Sequence, residues 1–363
     1  MRQSSQRPAP KARNSPNTSK SNSKPGIYII GLARQYPDNI LPQKALEPIV
    51  RKFYPENIAS PSVADMKSIQ TLLDVSLKTG IDSRSNISSL PQILESSPTP
   101  PTIDELSRQF RISGVRLITI AFEKALEDAS LAPADITHTV AVTCTDTGNP
   151  GYDLLVAQRL GLCNDVDRVF LHELHWACEN PNDARIGPAL FSDGAAALVL
   201  CNGIAMKETT SPIFELLGWG NEAMAGTLDD MCYLVDPKGY KLVLSKEVPK
   251  RAVNAIHPMF ERLKTSFPKN LEESSTCLKP SDCDWAMHPG GIAILKGAQA
   301  NLGLTPDYIR ASWEVYRNFE NSSSATVLIV LDTLRKMGDG RDKVVAASFG
   351  LGLCIEMATL RRC

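Results

Sequence analysis

Four short strings hold residues whose types and spacing could do chemistry. Trp285-Ala-Met-His288-Pro-Gly-Gly291 is an apolar run ending at a histidine and then a glycine pair. A histidine at a strand end opens onto a cleft, and the glycines let backbone or substrate approach closely. The plainer use of such a histidine is as a hydrogen bonder in a loop. Glu320-Asn321-Ser322-Ser323-Ser324-Ala325-Thr326 precedes a helical pattern, and alone its Asn and Ser residues read as helix caps. Ala189-Leu-Phe191-Ser-Asp193-Gly194-Ala-Ala-Ala197 predicts a strand pair around a turn, with small residues that demand close packing. Ser348-Phe-Gly-Leu-Gly352 lacks the Lys-Ser/Thr of a phosphate loop and the third glycine of a dinucleotide site. A fifth string, His172-x2-His175-x2-Cys178, offers three zinc ligands without a fourth, and reads as solvated side chains around a turn rather than a metal site.

The elements that position these strings alternate in type. Buried strands are expected at 26–32, 139–144, 166–172, 213–221, 284–287 and 344–347. Helices are expected at 42–54, 66–77, 152–160, 249–263, 291–302 and 323–337, and a long amphipathic stretch runs over 103–131. Residues 84–103, rich in Ser and Pro, read as a surface loop. The alternation implies layered α/β architecture with largely parallel sheets, and the two halves share a rhythm without a simple sequence repeat.

Composition narrows the function classes. With 363 residues, 43% of them hydrophobic, the chain can bury a sizeable core and form two folding units. No window approaches the roughly 18 consecutive apolar residues of a membrane span. Residues 1–25 carry six basic side chains and no acid, so the formal −1 of the chain conceals −7 on the remainder. A body this acidic is a poor nucleic-acid binder. The tail itself, with six Ser and four Pro, reads as disordered. Nine cysteines, without paired CxxC spacing or a secretory signal, suit free thiols in a reducing, cytoplasmic compartment.

Taken together and in this order, the four strings resemble the type III polyketide synthases, the chalcone synthase-like branch of the thiolase fold, with the fungal members nearest. Thr79-Gly-Ile-Asp-Ser-Arg84, Asn149-Pro-Gly-Tyr-Asp153 and Lys246-Glu-Val-Pro249 join the resemblance, which runs from Gly26 to about Leu360. It implies an αβαβα homodimer of two similar halves, here 26–205 and 206–363. It also implies an acyltransferase that condenses an acyl-CoA starter with malonyl-CoA into pyrone- or resorcinol-type polyketides, without metal or redox cofactor. His288 and Asn321 would donate hydrogen bonds to the thioester carbonyl. Phe191 would be an aromatic gatekeeper; Gly187, Ser192, Cys144 and Thr145 would line the cavity. Leu242 would stand where a second gatekeeping Phe is usual, and Lys78 would contact CoA phosphate.

One part of the pattern is missing. Family members carry a Gly-x-Gly-Cys elbow that sets the nucleophilic cysteine at a helix N-terminus, and no Gly-x-Gly-Cys occurs in this chain. The strand ending at His172 passes almost directly into Leu174-His-Trp-Ala-Cys178-Glu, which resembles sequence well downstream of the elbow. Roughly 40 residues of the usual spacing are absent, and with them a central helix and a central strand of the first half. Cys144 lacks the helix N-terminus that lowers a thiol pKa, and the resemblance makes Cys178 a structural neighbour rather than the nucleophile. The alternative reading is therefore a catalytically inactive chain, whether a pseudoenzyme or a mis-spliced product.

Overall fold

The computed structural model describes residues 26–53, 63–89, 91–92, 95, 102–143, 146, 148–172, 189–236, 239–268, 278–338 and 340–363. The basic tail lies outside them. In chain order the strands are β1 Ile27–Gln35, β2 Asn39–Pro42, β3 Ser83–Asn86, β4 His138–Thr143, β5 Asp167–His172, β6 Ala195–Asn202, β7 Phe214–Ala223, β8 Met231–Asp236, β9 Gly239–Leu244, β10 Cys283–Met287, β11 Lys343–Gly350 and β12 Cys354–Arg362. The helices are α1 Gln43–Phe53, α2 Val63–Lys78, α3 Ile103–Gln109, α4 Val115–Asp128, α5 Tyr152–Leu160, α6 Val248–Leu263, α7 Ile292–Leu302, α8 Arg310–Phe319 and α9 Thr326–Lys336.

Six strands form one twisted sheet in the order β10-β11-β12-β7-β1-β6, and β4 pairs with β5 in a separate ribbon. In the six-stranded sheet only β10 and β11 run parallel; the other neighbours are antiparallel. The expectation of largely parallel sheets is corrected by chain connectivity. β11 and β12 are joined by the three-residue turn 351–353, and a connection that short can link only antiparallel strands.

Helix α9 makes the layering. It packs against both ends of the six-stranded sheet, β1 and β6 at one and β10 and β11 at the other, while α4 covers β1 and β6 and α6 covers β7 and β12. The order is α, β, α, β, α. A helix enclosed by the two ends of a sheet has little solvent face, and Ile329, Val330, Leu331, Asp332, Thr333 and Leu334 of α9 are all buried. Asp332 is tolerated there because Arg335 and Lys336 pair with it at 2.9 and 2.8 Å.

The two halves repeat one device. β1 and β7 each carry a one-residue irregularity immediately before a glycine, Gly31 and Gly218. A β-carbon on Gly31 would fall 2.1 Å from the Ala125 carbonyl of α4, and one on Gly218 would fall 2.9 Å from Cβ of Ser266, just past α6. Each glycine lets the first outer helix of its half close onto the sheet.

Two expectations fail. The string around Phe191 is not a strand pair: only β6 is a strand, and Phe191 forms a single parallel bridge with Asn321. β4 is not buried, since Val140 and Val142 are 70% and 39% exposed. The cause is that β4 has β5 as its single strand neighbour among the described residues.

Candidate active site

β10 runs through the core with all five residues buried. One residue further on, the His288 N–H still donates to Ala347 O of β11 at 2.8 Å, so the ladder with β11 fixes the histidine backbone. The chain then turns through Pro289 and the glycine pair into α7. A β-carbon on Gly290 would sit 3.3 Å from Cδ2 of His288, so the bare glycine gives the imidazole room to lie against the turn. The ring is 9% exposed, and its nitrogens have no hydrogen-bond partner among the described residues. Burial lowers its pKa to about 4. At neutral pH it is an uncharged imidazole with one N–H to give.

Asn321 follows α8 and stands beside Phe191. Its N–H donates to Leu190 O at 3.2 Å, and its carbonyl accepts from the Ser192 N–H at 3.0 Å. The side-chain Oδ1 accepts from the Ser323 N–H at 2.8 Å and from Thr326 Oγ1 at 3.2 Å, just ahead of α9. The capping role read from the sequence is thus present, and it orients the amide. With Oδ1 occupied by two donors, Nδ2 has no partner among the described residues and keeps both its protons for another acceptor. Leu190 connects the two halves of the site. Its carbonyl receives the Asn321 N–H, and its side chain belongs to the same buried cluster as Met287, the residue before His288.

The remaining expected residues fall into three groups. Phe191 is half-buried against that cluster, and Ser192 donates its hydroxyl to Phe319 O, so both adjoin Asn321. Asp193 is held by the Ile87 N–H at 2.8 Å, and burial raises its pKa. Lys78 is exposed at the end of α2; two residues on, a β-carbon at Gly80 would lie 3.4 Å from Ile292 at the start of α7, close in sequence to His288. Leu242 lies in β9 opposite Tyr233, its side chain outside the described residues. Cys144, Thr145, Gly187, His175 and Cys178 lie outside them altogether. Among the described residues no group of His, Cys, Asp or Glu is arranged to hold a metal.

Sequence reasoning missed the residue next to Asn321. Glu320 has φ 61° and ψ −151°, a backbone region that is essentially reserved for glycine, and its side chain is fully buried. Nη2 of Arg84 lies 2.9 Å from its Oε1, and the same atom donates to Gln43 Oε1 at 2.9 Å. The Glu320 contact has the distance of an ion pair without hydrogen-bond alignment, since neither carboxylate oxygen accepts a bond. Burial pushes its pKa up to about 8, against the opposing pull of Arg84. The only hint in the sequence was that Arg84 and Glu320 both fell inside strings already singled out.

His288 and Asn321 therefore each present a neutral N–H donor. What the site does not show is a thiolate. The described cysteines are Cys163, Cys201, Cys232, Cys283, Cys354 and Cys363; none stands at a helix N-terminus, and burial pushes the Cys283 thiol up to about 12.

Beside Ser192, Gly194 and Ser322 a cavity of about 1060 Å³ opens and extends between β4 and β6. Neither His288 nor Asn321 borders it.

Comparison with known proteins agrees with this geometry. The family model for the N-terminal domain of chalcone and stilbene synthases matches residues 14–179, and that for their C-terminal domain matches 221–363. A type III polyketide synthase of Penicillium soppii is 42% identical, the match covering 93% of this chain and 97% of that protein. An acylalkylpyrone synthase of Aspergillus oryzae is 33% identical, covering 93% and 95%. The crystal structure of a type III pentaketide synthase from Neurospora crassa superposes with TM-score 0.82 at 36% identity, covering 93% of this chain and all of that one. The Penicillium alignment runs over 394 positions, more than the 363 residues of this chain. Since 93% of 363 is about 338, roughly 56 aligned positions have no residue here.

Proposed function

The chain belongs to the chalcone and stilbene synthase family, the type III polyketide synthases, and from that premise we propose that its site polarises the thioester carbonyls of malonyl-CoA and an acyl-CoA starter. The reaction is a decarboxylative Claisen condensation leading to pyrone- or resorcinol-type products, carried out by a homodimer. The observation that carries this reading is the state of the two donors. His288 is neutral, and Asn321 is turned by its own cap so that Nδ2 is the free end. When malonyl loses carbon dioxide, negative charge builds on the thioester oxygen, and two N–H groups stabilise the enolate. Removing one such donor costs about 10²–10³ in rate.

A second reading rests on the absence of Gly-x-Gly-Cys from the sequence. Losing a catalytic nucleophile typically costs on the order of 10⁶ in kcat. On this reading the chain decarboxylates malonyl-CoA, or only binds it, without condensation.

One experiment separates the readings. The purified chain is supplied with malonyl-CoA and medium-chain acyl-CoA, and both carbon dioxide and extended products are measured. Pyrone or resorcinol products support condensation. Decarboxylation alone, lost in His288→Ala and Asn321→Ala, supports the second reading and retains the roles of both residues. No reaction in either measurement removes the carbonyl-polarising assignment.

A further inference from the structure

Glu320 joins two stretches of chain that are each pinned. On its N-terminal side the carbonyls that end α8 are taken. The Asp82 N–H donates to Arg317 O at 2.7 Å, the Ser83 hydroxyl to Asn318 O at 2.6 Å, and the Ser192 hydroxyl to Phe319 O. On its C-terminal side the backbone of Asn321 is bonded to Leu190 and Ser192. The φ of 61° and ψ of −151° at Glu320 connect the two. Glycine adopts that torsion freely, whereas a residue with a β-carbon is strained in it. Rotation about ψ at this residue turns the Asn321 N–H away from Leu190 and carries the Asn321 side chain with it.

The side chain at this strained place is long and acidic, and it is fully buried. Neither carboxylate oxygen accepts a hydrogen bond among the described residues. Backbone strain and an unbonded buried acid in one residue, directly before Asn321, form a pattern that packing does not require and that marks functional positions. Three polar side chains face the carboxyl. Arg84 of β3 places Nη2 2.9 Å from Oε1, and Gln43 at the start of α1 accepts from the same Nη2 at 2.9 Å. Tyr316, one turn back in α8, lies within reach of the Glu320 charge and donates its hydroxyl to Thr79 O at 2.8 Å. Burial favours the uncharged acid, while Arg84 draws it toward the carboxylate.

We propose that Glu320 is a positioning residue for Asn321: while its carboxyl holds a proton, Arg84 stays on Gln43 and the turn keeps Asn321 Nδ2 aimed, and when the proton passes to solvent the turn shifts. The proposal rests on the reading of Asn321 as a carbonyl donor. With the uncharged acid the contact to Arg84 is close but unaligned, as the structure has it, and Gln43 retains Nη2. A carboxylate is a stronger acceptor, and its hydrogen bonds to a guanidinium are short and directional. Their alignment draws the Glu320 side chain toward β3. Because the chain is pinned on both flanks, the torsion at 320 takes up the movement and the Asn321 amide leaves its place. Asp193, the other buried acid near Asn321, is held instead by the Ile87 N–H at 2.8 Å, so its titration is the control.

The test uses the full chain labelled with nitrogen-15 in asparagine, the Asn321 side-chain amide signal being identified by its loss in Asn321→Asp. Between pH 6 and 9.5 we expect this signal to titrate with a midpoint of about 8, and the movement to vanish in Glu320→Gln. Glu320→Gly suits the torsion and should abolish the movement too, so it serves if the glutamine variant does not fold. A signal that stays still, or that titrates in these variants as in the native chain, overturns the proposal. Carbon dioxide release from malonyl-CoA is followed in parallel. We expect kcat to fall about tenfold from pH 7 to 9.5 with KM nearly unchanged, and Glu320→Gln to lose this dependence. A native kcat that stays level across that range also overturns the proposal. Amide titration without any carbon dioxide release keeps Glu320 as the positioning residue and removes the carbonyl-donor reading of Asn321.

Discussion

Burial that holds His288 neutral leaves a mark on the pH dependence of folding. Its pKa falls from 6.5 to about 4 on folding, so between those values the unfolded chain binds a proton that the folded chain does not. Stability from this group is complete above pH 6.5 and is lost as pH falls toward 4. At pH 5 the loss amounts to about 2 kcal/mol. Urea unfolding at pH 5 and 7.5 should show this difference in the native chain, and His288→Asn should remove most of it. An unchanged difference would mean that the ring is solvated. His288 and Asn321 were legible in the sequence because strand-end and helix-start patterns surround them. Glu320 was not, since nothing in a string of letters marks a φ of 61°. That torsion is imposed from outside, by the bridge holding Asn321 to Phe191 on one side and the end of α8 on the other.

At the scale of elements, the glycines before which β1 and β7 are irregular are not equivalent. A β-carbon at Gly31 meets the carbonyl oxygen of Ala125, a fixed helix backbone atom, whereas at Gly218 it meets the side chain of Ser266. Gly31→Ala should therefore destabilise by about 3 kcal/mol or more, and Gly218→Ala by about 1–2 kcal/mol, within the usual span for overpacking. Paired thermal melts check this, and equal shifts would contradict it. Helices with a clear apolar face, such as α5, were read to the residue. α8 escaped because two of its four buried positions, Ala311 and Ser312, carry small side chains, so that Val315 and Tyr316 alone mark its inner face. β12 and the β8–β9 hairpin escaped because hairpin pairing is decided by a strand's partner rather than by its own residues. The solvated face of β4 could not be read either: Thr139 to Thr143 has the composition of a buried strand, and its exposure goes with β5 being its one strand neighbour among the described residues.

For the whole molecule, the consequence is uneven stability. The second half has two deeply buried strands, β10 and β11, with Trp285, Met287, Val344 and Val345 all at 0% exposure, and α9 packed behind them. The β4–β5 ribbon stands apart, and half of its paired edges face the cavity. Amides of β10 and β11 should exchange only through global unfolding, while those of β4 and β5 exchange through local opening. Exchange mass spectrometry with and without mild denaturant distinguishes the two, and equal protection would refute the ordering. The five-layer order was legible only through family resemblance, because α9 reads locally as any apolar helix. The shortfall, by contrast, was legible directly, as a motif that never appears and an alignment longer than the chain.

The segment Thr139-Val-Ala-Val-Thr143 has no charge, proline or glycine, and among the described residues β5 is its one strand neighbour. Such segments are where cross-β stacking between identical chains begins, since nothing on the edge repels a neighbour. The lifetime of this protein should then depend on its abundance: dilute chains persist, while concentrated ones nucleate fibrils from this edge.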